Sequence, residues 1–430
     1  MNKKVSLGVT LALIFLSIAM TVSITVVIAM RHFGTMQTDL QQRVEMFDYI
    51  NDIDKIARQN YIIDEERLRA ALFRGYVEGL GDPYAAYLTA SEYQAAQNAA
   101  AGKQTGFGLE VTLTKENMVV VSVCDNGSPA ALSGVQKGDV VTAADGEEVS
   151  VETFEALQHK LRENSKILLS LTRGETDYAV ELSSNTYTAV SVESRMAGSV
   201  GILRIRTFDS ETPSQFKSAY RSLLEQGATS FLFDLRDNEG GSLDAAKDVI
   251  AFLMPRGPYA KYTTKSGTET LMAEDSDELQ LPSVTLVNGT TAGEAELFAG
   301  VLQNFGKTQV IGTATAGKNT VQNLVAIESD KSAVRITVAS LSLIQNNATW
   351  QDTGIQPSQV VEMPEALLPY AALLTDEEDP QIAAGLAALQ GNSPPSTTAP
   401  VESTGTATAP TETSAESSGT ESAATESAES

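Results

Sequence analysis

Asn288-Gly289-Thr290-Thr291-Ala292-Gly293-Glu294-Ala295-Glu296-Leu297-Phe298-Ala299-Gly300 reads as a strand end turning through glycine into a helix. The residues leading into it predict a strand over 285–288, and those after Gly293 predict a helix over 294–304. A second junction of the same kind lies upstream. β-rich runs at 200–208 and 229–235 flank a helix expected over 213–226. The later run empties into Asp234-Leu235-Arg236-Asp237-Asn238-Glu239-Gly240-Gly241-Ser242-Leu243-Asp244. Strands alternating with helices imply a βαβ arrangement. Further strands are expected at 310–312 and 333–343. Downstream of the first junction comes Ala316-Gly317-Lys318-Asn319-Thr320-Val321-Gln322, with Lys318 standing 25 positions after Gly293.

Together these segments resemble the active-site halves of the carboxyl-terminal processing peptidases, the tail-specific serine proteases of family S41. The family's first segment reads Asn-x-x-Ser/Thr-Ala-Ser-Ala-Ser/Ala-Glu-Ile/Leu, and its second reads Phe-Gly-Lys-Gly-x-Val-Gln. The resemblance implies that position 293 is that of the nucleophile, Lys318 the general base and Gln322 the residue that orients it. The loop at 234–244 resembles the family's Asp-Leu-Arg-x-Asn-Pro-Gly-Gly-x-Leu, with Glu239 in place of Pro. It implies that the Gly240 backbone amide helps form an oxyanion hole. Glycine suits that role because it lets a backbone donor approach a developing oxyanion closely.

The departures from the pattern cluster at the chemistry. Gly293 stands where the family has serine, and Glu294 replaces the small residue beside it. Ala316 and Asn319 replace Phe and Gly around Lys318. A glycine has no atom that attacks a carbonyl, and losing a serine nucleophile typically costs about 10⁶ in kcat. Thr290 and Thr291 lie two and three residues upstream, offsets that point a side chain elsewhere at a strand-to-helix turn. A carboxylate beside Lys318 favours the charged ammonium, which is no base.

Composition narrows the alternatives. The chain has 430 residues, 42% of them hydrophobic, and a formal net charge of −25. Length predicts two or three domains with ample core. The negative charge argues against nucleic acid, whose phosphates it repels. The single cysteine, Cys124, lies in an apolar strand pattern and reads as a buried structural thiol. The two histidines, His32 and His159, neighbour no nucleophile motif, which excludes a Ser-His-Asp triad and a histidine-based zinc site. Any acyl transfer would need lysine as its base. The Asp-rich loop at 234–244 has Arg236 inside it and no Glu at its end, which argues against calcium. No metal and no cofactor are expected.

Residues 5–30 carry no charge over 26 positions. A membrane helix needs about 20 apolar residues, whereas the apolar part of a cleaved signal spans about 7–15. Lys3 and Lys4 precede the run, so residues 1–4 are expected in the cytoplasm and the bulk of the chain outside. Residues 31–95 read as a helical stalk and the start of the peptidase core. Asp82-Pro83-Tyr84-Ala85-Ala86-Tyr87-Leu88-Thr89 resembles the family's Asp-Pro-Tyr turn, with Pro83 closing the helix before it. Residues 104–185 resemble a PDZ domain. Gly106, Phe107, Gly108 and Leu109 match its carboxylate-binding loop, where successive N–H groups capture a peptide's terminal carboxylate. Ser128-Pro129-Ala130-Ala131-Leu132-Ser133-Gly134-Val135, Lys137-Gly138-Asp139 and the hairpin at Asp145-Gly146 follow in the family's order, then a helix over 151–162. Residues 190–390 complete the core and carry the closing Gly354-Ile355-Gln356-Pro357 and Asp379-Pro380-Gln381-Ile382. Residues 391–430 are almost entirely Ser, Thr, Ala, Pro, Gly and Glu, with too little apolar surface to offset ordering entropy, and are expected to be disordered.

The expected architecture is therefore α+β. It has an N-terminal transmembrane helix, a PDZ domain inserted in an S41 (ClpP/crotonase-like) peptidase core, and a disordered tail. Partners follow: polypeptide C-termini, and a membrane through the single helix. Homo-oligomerisation is left open by the sequence. The function implied is a serine-type endopeptidase homologue without its nucleophile, or a pseudopeptidase that keeps peptide binding.

Overall fold

A computed structural model describes residues 7–274 and 277–391. Residues 5 and 6 of the expected membrane run and 392–430 of the expected tail lie outside the described residues. The chain opens on one long helix, α1 (Leu7–Asn60), which takes in both the apolar run and the stalk. Leu13–His32 has a mean hydropathy of 2.5, is not packed inside the protein, and is long enough to cross a membrane. α2 (Glu65–Glu78) starts at Asp64, whose side chain accepts from the Arg67 N–H. It ends before Asp82-Pro83, where the Asp82 carboxylate accepts the N–H groups of Tyr84 and Thr337. β1 (Ala86–Leu88) follows, then α3 (Ala90–Ala100), opened by a capping box between Thr89 and Glu92.

The inserted domain runs through β2 (Lys103–Gly106), β3 (Leu109–Leu113), β4 (Val119–Cys124), α4 (Pro129–Leu132), β5 (Val140–Ala144), β6 (Glu147–Glu148), α5 (Phe154–Glu163), β7 (Lys166–Arg173), β8 (Thr176–Ser183) and β9 (Asn185–Thr188). β2 and β9 pair to form a neck; the remaining strands make a sheet in the order β3-β4-β5-β7-β8, with β6 on β5. Alternation along β7 buries Ile167, Leu169 and Leu171 in one cluster with Phe107, Val121, Leu157 and Leu182. Cys124 is half-buried and burial raises its thiol pKa, as suits an unreactive core cysteine.

The core then builds β10 (Val192–Ala197), β11 (Val200–Ile205), α6 (Thr212–Glu225), β12 (Ser230–Asp234), α7 (Leu243–Leu253), β13 (Gly257–Thr264), β14 (Gly267–Ala273), β15 (Ser283–Val287), α8 (Glu294–Asn304), β16 (Gln309–Gly312), β17 (Thr320–Ile327), β18 (Ser332–Leu343), β19 (Gln359–Val360) and α9 (Pro380–Leu389). One sheet is ordered β10-β11-β12-β15-β16-β19, parallel except for β10. Its faces are both covered, so its strands are apolar on both sides. Phe231 and Phe233 of β12 join one core cluster with α6, α7 and α8, while Leu232 between them joins Ile382 of α9 on the other face. A second sheet is organised by β18, which pairs with β1, β13 and β17. Because β1 precedes the PDZ region and β18 follows it, that region is inserted within the core.

The insertion is tied down at two places. Arg206, just past β11, donates to Asp125 at 2.7 Å, and Tyr187 donates to the same carboxylate at 2.8 Å. The 3-10 helix Leu368–Leu373 lies against β3 and β4, with Thr112 donating to the Pro369 carbonyl and Lys137 to that of Ala372.

The closing motif of the chain locks the β12 loop. Arg236 is buried and donates to Asp234, to Asp379 at 2.8 Å and to Gln381 at 3.0 Å. Asp379 in turn accepts the N–H groups of Gln381 and Ile382 at the start of α9. Burial pushes the Asp234 carboxyl up, but the Arg236 charge and hydrogen bonds outweigh it and hold it below the usual carboxylate range. Arg236→Ala is expected to cost about 3–5 kcal/mol in denaturant unfolding, because it strands two buried carboxylates. The Asp234 contribution is fully present above the unfolded value of about 3.9 and is lost as pH falls through its depressed folded value.

Candidate functional site

Three loops meet at the carboxyl ends of β12, β15 and β16, the position where ligands bind in open α/β sheets. Backbone hydrogen bonds stitch them together. Ala292 donates to the Asn238 carbonyl, and Ala316 donates to that of Thr291, each at 2.9 Å. Asn238 is buried and spans inward, its amide donating to the Ile205 carbonyl.

Gly293 sits at the start of α8 with φ 58° and ψ −117°, a region that side-chain-bearing residues occupy only under strain of about 1–3 kcal/mol. There is nonetheless room for a side chain. A Cβ placed there would stand 3.6 Å from the Glu239 carbonyl oxygen and 4.0 Å from both Gly240 Cα and Lys318 Cδ. The backbone at 293 thus keeps an elbow shape aimed at Lys318, without an atom to present.

Glu296 holds the elbow and the lysine loop in one frame. It is wholly buried, and its carboxyl accepts Gly293 N–H at 3.0 Å, Lys318 N–H at 2.8 Å, Gly317 N–H at 2.7 Å and the Thr315 hydroxyl at 2.5 Å. Thr315 itself accepts the Ile355 N–H at 2.7 Å, so its hydroxyl proton faces Glu296.

Lys318 is half-buried, with its Nζ 5.1 Å from the centre of the Tyr84 ring. Burial lowers its pKa, against the opposing pull of Glu294, Glu296 and Glu239. The expected effect of Glu294 on the ammonium is present in sign, but desolvation exceeds it. Gln322 lies in β17, where its amide donates to the hydroxyls of Thr320 at 2.9 Å and Thr337 at 3.3 Å.

On the other side of position 293 stand Gly240 and Gly241. The Gly240 N–H donates to Asn238 Oδ1 at 2.8 Å, whereas the Gly241 N–H donates to Glu294 Oε2 at 2.9 Å. Glu294 is 7% exposed. Burial raises its pKa, opposed by the N–H groups of Gly241 and of Glu294 itself and by the Lys318 charge. Neither upstream threonine faces position 293. Thr291 is buried and donates to the Leu235 carbonyl, and Thr290 donates to Asp237.

The sequence named Gly293, Lys318, Gln322 and Gly240 for this place. It did not single out Glu296, Thr315, Tyr84 or Gly241 as site residues. Glu296 had a signal, being three residues after the glycine at a helix start, where a glutamate reaches back to the N-cap N–H. Thr315 and Tyr84 reach the site only through tertiary packing.

In the inserted domain, Phe107 is buried and Gly108 has φ 74°. A Cβ at Gly108 would fall 2.1 Å from Ser128 Cβ, so only glycine fits this bend. Among the described residues, β3, which follows the loop, pairs with β4 alone, leaving its other edge without a strand. Leu157 of α5 is buried with Phe107 and Val111 in the same cluster.

The sequence model of Peptidase family S41 matches residues 199–361, and that of the PDZ domain matches 105–183. The carboxyl-terminal-processing protease of Synechocystis sp. (strain ATCC 27184 / PCC 6803 / Kazusa) is 29% identical over 350 residues, covering 78% of this chain and 81% of that protein. A protein of Staphylococcus aureus (strain COL) bearing the name CtpA-like serine protease is 26% identical over 367 residues, 84% of this chain and 73% of its own. The crystal structure of an S41 protease from Bacteroides fragilis NCTC 9343 superimposes with a TM-score of 0.51 at 20% identity, over 67% of this chain and 83% of that one. With its βαβ core, its lysine loop and its inserted domain, this chain carries a Peptidase family S41 region and a PDZ domain and is similar to carboxyl-terminal-processing proteases.

Proposed function

We propose that this protein is a membrane-anchored pseudopeptidase that captures the C-termini of extracytoplasmic polypeptides in its PDZ groove and does not cleave them. The observation that carries the reading is Gly293, a glycine in an elbow conformation directed at Lys318. Lys318 would act as general base, Gln322 would orient it, and glycine amides at 240–241 would face a developing oxyanion. None of these supplies the attacking atom. The apolar helix Leu13–His32, free of charge up to Met30 and preceded by Lys3 and Lys4, supports an anchor with the folded part outside. Retained peptidase activity is the reading that this similarity favours, and the same assay addresses both. Detergent-solubilised full-length protein is incubated with an unfolded casein-type substrate beside its Lys318→Ala variant. Equal, background-level cleavage supports the proposal; cleavage that disappears with Lys318 overturns it.

Capture rests on Gly106, Phe107, Gly108 and Leu109 together with the unpaired edge of β3, where an incoming peptide would add as a strand. Peptides with a free C-terminus are expected to bind about tenfold or more tightly than amidated ones in fluorescence anisotropy, since hydrogen bonds to a charged group are worth about 1.5–3 kcal/mol. Gly108→Ala is expected to abolish that binding, because its methyl group cannot coexist with Ser128.

A further inference from the structure

We propose that the side chain of Glu294 is an internal occupant of the oxyanion site, holding its Gly241 donor, so that the cleft is closed by a second change independent of the missing nucleophile. This rests on the reading of Gly293 as the former nucleophile position. In a nucleophile elbow, one oxyanion donor is the N–H of the residue after the nucleophile, and the other comes from a neighbouring loop. Here the residue after position 293 is Glu294, and the neighbouring loop supplies Gly241. The loop's donor is taken by the Glu294 carboxyl: the Gly241 N–H donates to Oε2 at 2.9 Å.

The location is the one that matters. The Gly241 nitrogen is bonded to the Gly240 carbonyl carbon, and Gly240 Cα lies 4.0 Å from where a side-chain Cβ at 293 would stand. Glu294 Oε2 would be only 2.4 Å from a Cβ on Gly240, so the carboxyl is pressed against this loop rather than turned to solvent. A substrate carbonyl entering the cleft would meet an oxygen where it needs hydrogen-bond donors. A small residue at 294 would leave the Gly241 donor open. Burial favours the neutral carboxyl, which lowers the cost of keeping it there.

The inference predicts that serine at 293 alone is insufficient. Full-length protein in detergent is compared as Gly293→Ser, Glu294→Ala and the double variant, each checked for an unchanged melting profile. Cleavage of an unfolded casein-type substrate should be at least about 100-fold faster in the double variant than in Gly293→Ser, the scale of one lost oxyanion donor. Equal rates in the two would overturn the plug. A second measurement needs no catalysis. A hexapeptide of alanine and leucine, with a phosphinate replacing one amide and an amidated C-terminus, mimics the oxyanion while avoiding the PDZ groove. Glu294→Ala, with Gly293 retained, should bind it about tenfold or more tightly than the natural chain. Glu294→Gln should stay as weak as the natural chain, because an amide oxygen still covers the same donor. Equal affinity of the natural chain and Glu294→Ala, or a gain in Glu294→Gln matching that in Glu294→Ala, would refute occupancy. Hydrolysis by the natural chain would instead refute the pseudopeptidase reading itself, which keeps the two failures apart.

Discussion

Glu296→Ala is expected to lower the unfolding free energy by about 3–5 kcal/mol and to loosen both loops at position 293. The carboxyl receives four donors, three of them backbone N–H groups with no other place to go. Each buried donor left without a partner costs about 1–3 kcal/mol, and partial relaxation of the loops reduces the sum. Denaturant titration measures the loss. Hydrogen exchange locates it, with the Gly293, Gly317 and Lys318 amides expected to lose protection first. Glu296→Gln is the informative companion, since its amide NH2 would face N–H donors on one side. It should be destabilised too, though by less than alanine. A variant of Glu296→Ala with unchanged stability and unchanged exchange would show that this frame does not hold the elbow.

Lys318→Ala is expected to leave peptide turnover unchanged from that of the natural chain. In a working Ser-Lys site the lysine must be neutral to take the nucleophile's proton, and removing it would abolish activity. The half-buried Lys318 retains the depressed pKa such a base needs. What is lost is the group it would deprotonate, worth about 10⁶ in kcat in serine proteases. The neighbouring hydroxyls do not substitute, because Thr290 and Thr291 are committed to Asp237 and Leu235. Peptide capture, by contrast, should be insensitive to Lys318→Ala, since β3 and the loop at 106–109 belong to the inserted domain.

Much of this was legible in the chain because the informative signals were local. Alternation and β-branched runs marked β11, β12 and β15, and the glycine-rich turns between them marked the junctions. The PDZ region was legible through an ordered succession of turns rather than any one of them. What was not legible depends on the tertiary fold. The apolar residues Leu68, Leu72, Tyr76 and Leu80 have helical spacing but stay exposed on or just after α2, whose contact with β1 is made through Phe73 and Tyr87. Glu294 read as a charge beside Lys318, but its orientation toward Gly241 requires knowing how two loops distant in sequence approach. The sequence pointed to the Gly240 amide as an oxyanion donor, but that N–H is bonded to Asn238 Oδ1, a contact made by the loop's own fold.

The missing attacking atom at position 293 is checked by looking for cleavage and acyl-enzyme formation in the natural chain. Intact-protein mass spectrometry on the full-length protein, sampled during incubation with an unfolded free-C-terminus polypeptide, should show no mass increase on the enzyme and no substrate fragments beyond those of Lys318→Ala. A covalent acyl adduct on this chain, or fragments that vanish when Lys318 is replaced, would contradict it.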